Sequence, residues 1–206
     1  MKRVTLYISS PDDVVEERQR ALAVVQRLQE EFSDSLSLEP VLQVDSPEQV
    51  CLPSDFDVFA TIIGDHLASP PTTEFSRADG SHYGSLNEFE YENAVSNYRV
   101  KGKPELLVYR KSIPDEQSAT PQFEEVSEFF DKFFLSAEDR TATGAYHTFA
   151  EAEQFEDLFT VHLRKLLRRF LPRPNNLPDL TSSFVGRVDL IREITGYLRQ
   201  SDVKLV

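Results

Sequence analysis

The chain has 206 residues, 40% of them apolar and including 15 Phe and 7 Tyr, enough to bury a substantial core, which excludes a disordered polymer. A formal charge of −13 opposes broad contact with nucleic acid or anionic lipid, because phosphates are repelled over most approaches. With Cys51 as the one cysteine there is no disulfide framework and no cysteine-based zinc site, and the apolar run after Met1-Lys2-Arg3 is too short for a signal peptide or membrane span; the expected setting is the cytosol.

Arg3 to Ser9 is rich in β-branched and aromatic residues and predicts a buried first strand. A helix is expected to start at Ser10-Pro11-Asp12-Asp13, with Ser10 as cap and Pro11 at the first helical position. Val14, Arg18, Ala21, Leu22, Val25, Leu28 and Phe32 give it one apolar face, Arg18 lending its stem to the core edge and its head to solvent. Ser37 to Val44 predicts a second strand, placed at an edge by Pro40. Asp55 to Gly64 is the clearest central strand, and a helix over Ser85–Asn97 follows a 20-residue gap.

Glu105 to Arg110 predicts a fourth strand, Gln122 to Leu135 a Phe-rich helix, Tyr146 to Phe149 a short fifth strand, and Ala152 to Phe170 a strongly periodic helix. Alternating strands and helices imply an α/β, doubly wound, flavodoxin-like, mostly parallel five-stranded sheet covered on both faces, for which the order 2-1-3-4-5 fits. Residues 1–170 are expected to form this domain. Residues 171–183, with three prolines, read as a linker, and 184–206 as the start of something larger.

In such a sheet ligands bind beyond the carboxyl ends of the strands, where strand order reverses. That point lies between the first and third strands, at the Ser9–Asp12 turn and the 65–84 loop, with the Ser85 helix as rim. The loop far exceeds the usual length of about 2–6 residues, which suits a binding lid or a surface insertion. No glycine-rich phosphate cradle occurs. His66, His82, His147 and His162 show no metal spacing, so no metal is expected; His162 reads as a helix-packing residue. A receiver-type phosphotransfer site is rejected, because Asp57 falls at the wrong end of its strand. Arg164, Lys165, Arg168 and Arg169 complement the dipole of their own helix.

Glu88, Glu90 and Glu92 crowd the first turns of the Ser85 helix. They are either a solvated face or a place to attack a sugar–nucleotide bond. Leu86, Phe89, Asn93 and Ala94 leave Glu90 near the core boundary.

The opening Tyr7-Ile8-Ser9-Ser10-Pro11-Asp12-Asp13-Val14, the strand ending in Gly64, the Gly84-Ser85 step, Glu88 to Ala94, and Lys103-Pro104 to Tyr109 occur in order. Together they resemble the TIR-like domain family placed ahead of STAND and NACHT ATPases, over residues 3 to about 170. Phe184-Val185-Gly186-Arg187 and the residues after it look like the lead-in to a STAND-type nucleotide-binding domain, ending before any P-loop. The resemblance implies a signalling or effector domain in prokaryotic defence or innate-immune-like systems, controlled by self-association of the attached ATPase.

Some TIR relatives cleave the nicotinamide–ribose bond of NAD with one helix-borne Glu, and Glu90, four before Ala94, matches that step, with Glu88 second. Ser9, Ser10, Asp12, Gly64 and Ser85 would then line the pocket, His82 or Tyr83 would stack, and NAD would be a substrate with no tightly bound cofactor. The aromatic-Cys pair usual before the catalytic Glu is missing. Three readings stay open: an NAD-cleaving effector, a non-catalytic self-association or adaptor module, and a nucleotide sensor without turnover.

Overall fold

The structure, a computed structural model, describes residues 1–43, 51–72, 75–112, 120–135 and 144–171. Most of the expected linker and all of 184–206 lie outside the described residues. The strands are β1 Lys2–Ser9, β2 Leu36–Leu42, β3 Val58–Ile63, β4 Glu105–Lys111 and β5 His147–Phe149. The helices are α1 Val15–Glu31, α2 Leu86–Lys101, α3 Pro121–Phe134 and α4 Ala152–Phe170.

Every strand pair is parallel and the order is β2-β1-β3-β4-β5, so the fold is a doubly wound, flavodoxin-like α/β sheet. β2, with Pro40, is an edge strand as expected. Asp57 stands just ahead of β3 and accepts hydrogen bonds from the Thr5 N–H and hydroxyl at 3.0 and 3.1 Å. It therefore pins the start of β3 to β1, away from the carboxyl ends of the strands.

The strand period of two sorts the core into two layers. Val4, Leu6, Ile8, Val58, Ala60, Ile62, Leu107 and Tyr109 face α1 and α4. Tyr7, Phe59, Ile63 and Val108 face α2 and α3, where Tyr91, Phe129, Phe130 and Phe134 form a tilted aromatic stack. His162 stacks on His147 with centroids 4.0 Å apart, and its Nδ1 lies 3.0 Å from the Tyr109 hydroxyl, the packing role read from its position on α4. Arg164 pairs bidentately with Glu31, and Arg169 with Glu105, so half of the basic cluster ties α4 to its neighbours.

Two local expectations are corrected. Ser10 does not cap a helix: a 3-10 turn over Asp12–Val14 precedes α1, with no side-chain cap. The Arg18 head is not in solvent either. It donates to Ser10 Oγ at 2.6 Å and to the Ser10 and Pro11 carbonyls at 3.0 and 2.8 Å, because the turn leaves those acceptors otherwise unused.

Candidate functional site

α2 begins with a mutual cap. Ser85 Oγ accepts from the Glu88 N–H at 3.1 Å, while Glu88 Oε2 accepts from the Gly84 N–H at 2.7 Å. The helix ends at Gly102, whose φ of 71° closes the last turn through its N–H to the Tyr98 carbonyl. Between these ends, Asn87, Glu90, Tyr91 and Ala94 recur at helical spacing and are buried against the sheet.

Glu90 is wholly buried, deeper than the core boundary its neighbours suggested. Its Oε1 accepts from the Tyr7 hydroxyl at 2.6 Å, and its Oε2 lies 2.5 Å from Ser9 Oγ. Ser9 Oγ in turn lies 2.9 Å from Gln43 Oε1 and accepts from Asn87 Nδ2 at 3.3 Å. Gln43 Oε1 also accepts from the Ser10 N–H at 3.2 Å. Thr61, in register with Ser9 on the neighbouring strand, is buried beside these groups, and neither its hydroxyl nor Gln43 Nε2 has a hydrogen-bond partner among the described residues. These side chains come from the exit of β1, the exit of β2, the middle of β3 and the first turns of α2. This is the point where strand order reverses.

Burial pushes the Glu90 carboxyl up to about 7, against the pull of the Ser9 and Tyr7 hydroxyls. Burial, with Glu90 beside it, drives the Tyr7 phenol far above its ordinary value. A buried carboxyl titrating near neutrality can exchange between acid and carboxylate under ordinary conditions, the property a proton-transferring or cation-stabilising group needs.

A second group sits on the same edge. Asp13, after β1, and Asp65 and His66, after β3, bring three ligand-type atoms within 4.8 Å of one another. The Asp65 N–H donates to Asp13 Oδ2 at 2.5 Å, and His66 Nδ1 lies 2.7 Å from Asp65 Oδ1. Gly64 makes this approach possible, since a Cβ there would stand 1.8 Å from Asp13 Oδ2. Asp12 points outward and pairs with Arg18 at 3.6 Å.

The outer side of α2 carries the remaining candidates. Residues 75–84 fold back on themselves through a Ser76–His82 bridge and a turn at Gly80, and they dock on α2. Arg77 pairs with Glu88 at 2.8 Å and Glu92 at 3.2 Å, donates to the His82 carbonyl at 2.7 Å, and lies over the Tyr83 ring. Phe75 and Tyr83 pack on Phe89. Lys132 of α3 pairs with both Glu88 and Glu92. Burial opposes it, but Lys132, the Gly84 N–H and Arg77 hold the Glu88 carboxyl below its usual range.

The structure thus brings Glu90, Ser9 and Ser10 together, with Ser85 buried one turn from Glu90 as the helix cap. Glu88, His82 and Tyr83 belong to a separate ion-pair and stacking cluster. A cavity of about 290 Å³ is lined by Leu67, Gly84, Ser85, Glu88, Phe129 and Lys132, and a larger one of about 650 Å³ runs by Tyr91, Tyr98, Arg99 and Phe133. Glu90 lines neither.

Sequence reasoning missed Tyr7, Gln43 and Asn87 as members of the network, and Thr61 beside it. Tyr7 and Thr61 carried a usable signal, since each shares the parity that places its side chain on the α2 face. Asn87, three residues before Glu90, shares its helical face. Gln43 carried the same signal inside the expected Ser37 to Val44 strand, where it shares the parity of Val41, although the observed β2 ends at Leu42. Asp65 adjoins His66 in the sequence, but only the fold brings Asp13, from the turn after β1, to join them. Compared with known protein families and with curated proteins, the chain matches no family model and no curated protein.

Proposed function

We propose that residues 1–170 form a TIR-like effector or signalling domain of a cytosolic STAND-type ATPase in a defence or immune system, with Glu90 as its functional carboxylate. One observation carries the reading. A carboxyl with no charged partner among the described residues is buried at the strand-order reversal and held by two hydroxyls from β1. Burying such a group is costly and contributes little to stability, which is the signature of a site kept for chemistry.

The reaction is hydrolysis of the nicotinamide–ribose bond of NAD. The C1′–N bond breaks with its electron pair going to nicotinamide, and ionised Glu90 stabilises the positive charge on the ribose. Water then adds to C1′ and releases a proton, giving ADP-ribose and nicotinamide. Because Glu90 is sealed from solvent, the site is closed in the resting domain, and self-association through the attached ATPase opens it. The same closure favours a second reading, a non-catalytic self-association or adaptor domain in which Glu90 is structural. No helix among the described residues is long and apolar enough to cross a membrane, in keeping with either reading.

The deciding experiment incubates the full-length protein, shown by light scattering to be assembled, with NAD and measures free nicotinamide. Release is expected from the wild type and is expected to be lost in Glu90→Gln with an unchanged circular dichroism spectrum. Assembled wild-type protein that leaves NAD intact would overturn the hydrolysis and leave the adaptor reading or the nucleotide sensor without turnover.

A further inference from the structure

The hydrogens around Ser9 can be counted. Asn87 Oδ1 accepts from the Ala68 N–H at 2.8 Å, so Asn87 presents its Nδ2 donor to Ser9. Gln43 Oε1 accepts from the Ser10 N–H, so Gln43 presents an acceptor to Ser9, not its amide nitrogen. The single Ser9 hydrogen therefore faces two oxygens, Gln43 Oε1 and Glu90 Oε2.

If Glu90 is a carboxylate, that hydrogen can serve only one of them, and the other buried contact is left as oxygen facing oxygen. If Glu90 carries a proton on Oε2, every contact is satisfied. Glu90 donates to Ser9, Ser9 donates to Gln43, and Tyr7 donates to Glu90 Oε1. Among the described residues no further donor compensates the anion. Tyr7 is the titratable group that faces Glu90, with Cys51 beside Tyr7, and Asn87, Gln43 and Thr61 around it are neutral.

We propose that Gln43 is a positioning residue which, acting through Ser9, keeps a proton on Glu90 Oε2 in the closed domain, so that the carboxylate forms only when this hydrogen-bond chain is broken. The raised titration of Glu90 agrees with the count made from geometry. Calling the carboxylate the reactive form rests on the ribosyl chemistry proposed above; the location of the proton does not. Under that reading the resting domain is silent in two ways, because substrate is excluded and the group that would stabilise a cation is neutral.

The test uses protein labelled with ¹³C at the Glu side-chain carboxyl, titrated by NMR without NAD, with Glu90→Gln assigning the signal. Wild-type Glu90 is expected to be protonated at pH 6. Gln43→Leu releases the Ser9 hydrogen to the carboxylate and should lower the midpoint by about one pH unit. Ser9→Ala removes the hydroxyl through which Gln43 acts, so in that background Gln43→Leu should no longer move the midpoint, while Ser9→Thr keeps the wild-type coupling. Gln43→Met, closer in length, covers the case in which the Leu variant does not fold. A Gln43→Leu shift that is present with Ser9 and absent without it supports the proposal, since a burial effect alone does not depend on the Ser9 hydroxyl. An ionised wild-type Glu90 at pH 6, or a Gln43→Leu shift that persists in the Ser9→Ala background, would overturn it. Because no NAD is present, failure here and failure of the hydrolysis are separate results.

Discussion

The outer side of α2 holds Glu88 and Glu92, two carboxylates sharing Arg77 and Lys132; the inner side holds Glu90, which no cation among the described residues pairs. All three are the same residue type within two helical turns. The Glu88 carboxyl is held below its usual range because opposite charges outweigh its partial burial. Glu90 is pushed toward neutrality because two hydroxyls do not replace the hydration it has lost. The outer cluster straps the 75–84 segment to its helix, whereas the inner carboxyl makes the domain's stability depend on pH.

The sharpest way to break this contrast is Glu90→Gln. The folded carboxyl titrates at about 7 against an ordinary value of 4.5, so the folded state binds the extra proton between those pH values. The stability from the neutral form is fully present below pH 4.5 and is lost as pH rises through about 7. From pH 4.5 to 8 the wild type should lose on the order of 3 kcal/mol relative to Glu90→Gln. Urea unfolding of both proteins at the two pH values measures this directly. A parallel pH dependence in the two would show that Glu90 does not carry it.

Arg77→Ala strikes the opposite side. It leaves Glu88 and Glu92 with Lys132 alone and removes the stacking partner of Tyr83, so a loss of about 1–2 kcal/mol is expected. Amide hydrogen exchange should accelerate across residues 75–84, with little change in β1. Equal acceleration in β1 would mean the two sides of the helix are not separable.

Glu88→Gln should have the smallest effect, roughly 1 kcal/mol or less at low salt. At 1 M salt, where the screening length falls to about 3 Å, that difference should largely vanish. The Glu90 difference should persist, because no ion pair supports it. A salt-insensitive Glu88 effect would place that residue in the same buried class as Glu90.

The sheet was legible because its strands are short apolar runs and its helices keep a 3.6 period. Val58 to Ile63 is entirely buried, as an unbroken apolar run in a central strand must be, and Pro40 marked the edge. The direction of Glu90 toward Ser9 was readable from the helical positions of Asn87 and Ala94. Its depth was not, since sequence neighbours give the angle of a side chain around a helix but not how closely the helix packs. Ser10 does not cap because its acceptors are claimed by Arg18, about two turns along the chain, although a Ser-Pro-Asp-Asp run suits a helix start equally well.

The amino-acid sequence by itself determined the alternation of elements, the two faces of each strand and the set of carboxylates beyond the third strand, all consequences of local periodicity. Only the tertiary structure decided that Glu90 meets Tyr7, Ser9 and Gln43 while Glu88 meets Arg77 and Lys132. Those partners are separated by up to 83 residues in the chain, and they meet only because parallel strands carry distant exits to one edge.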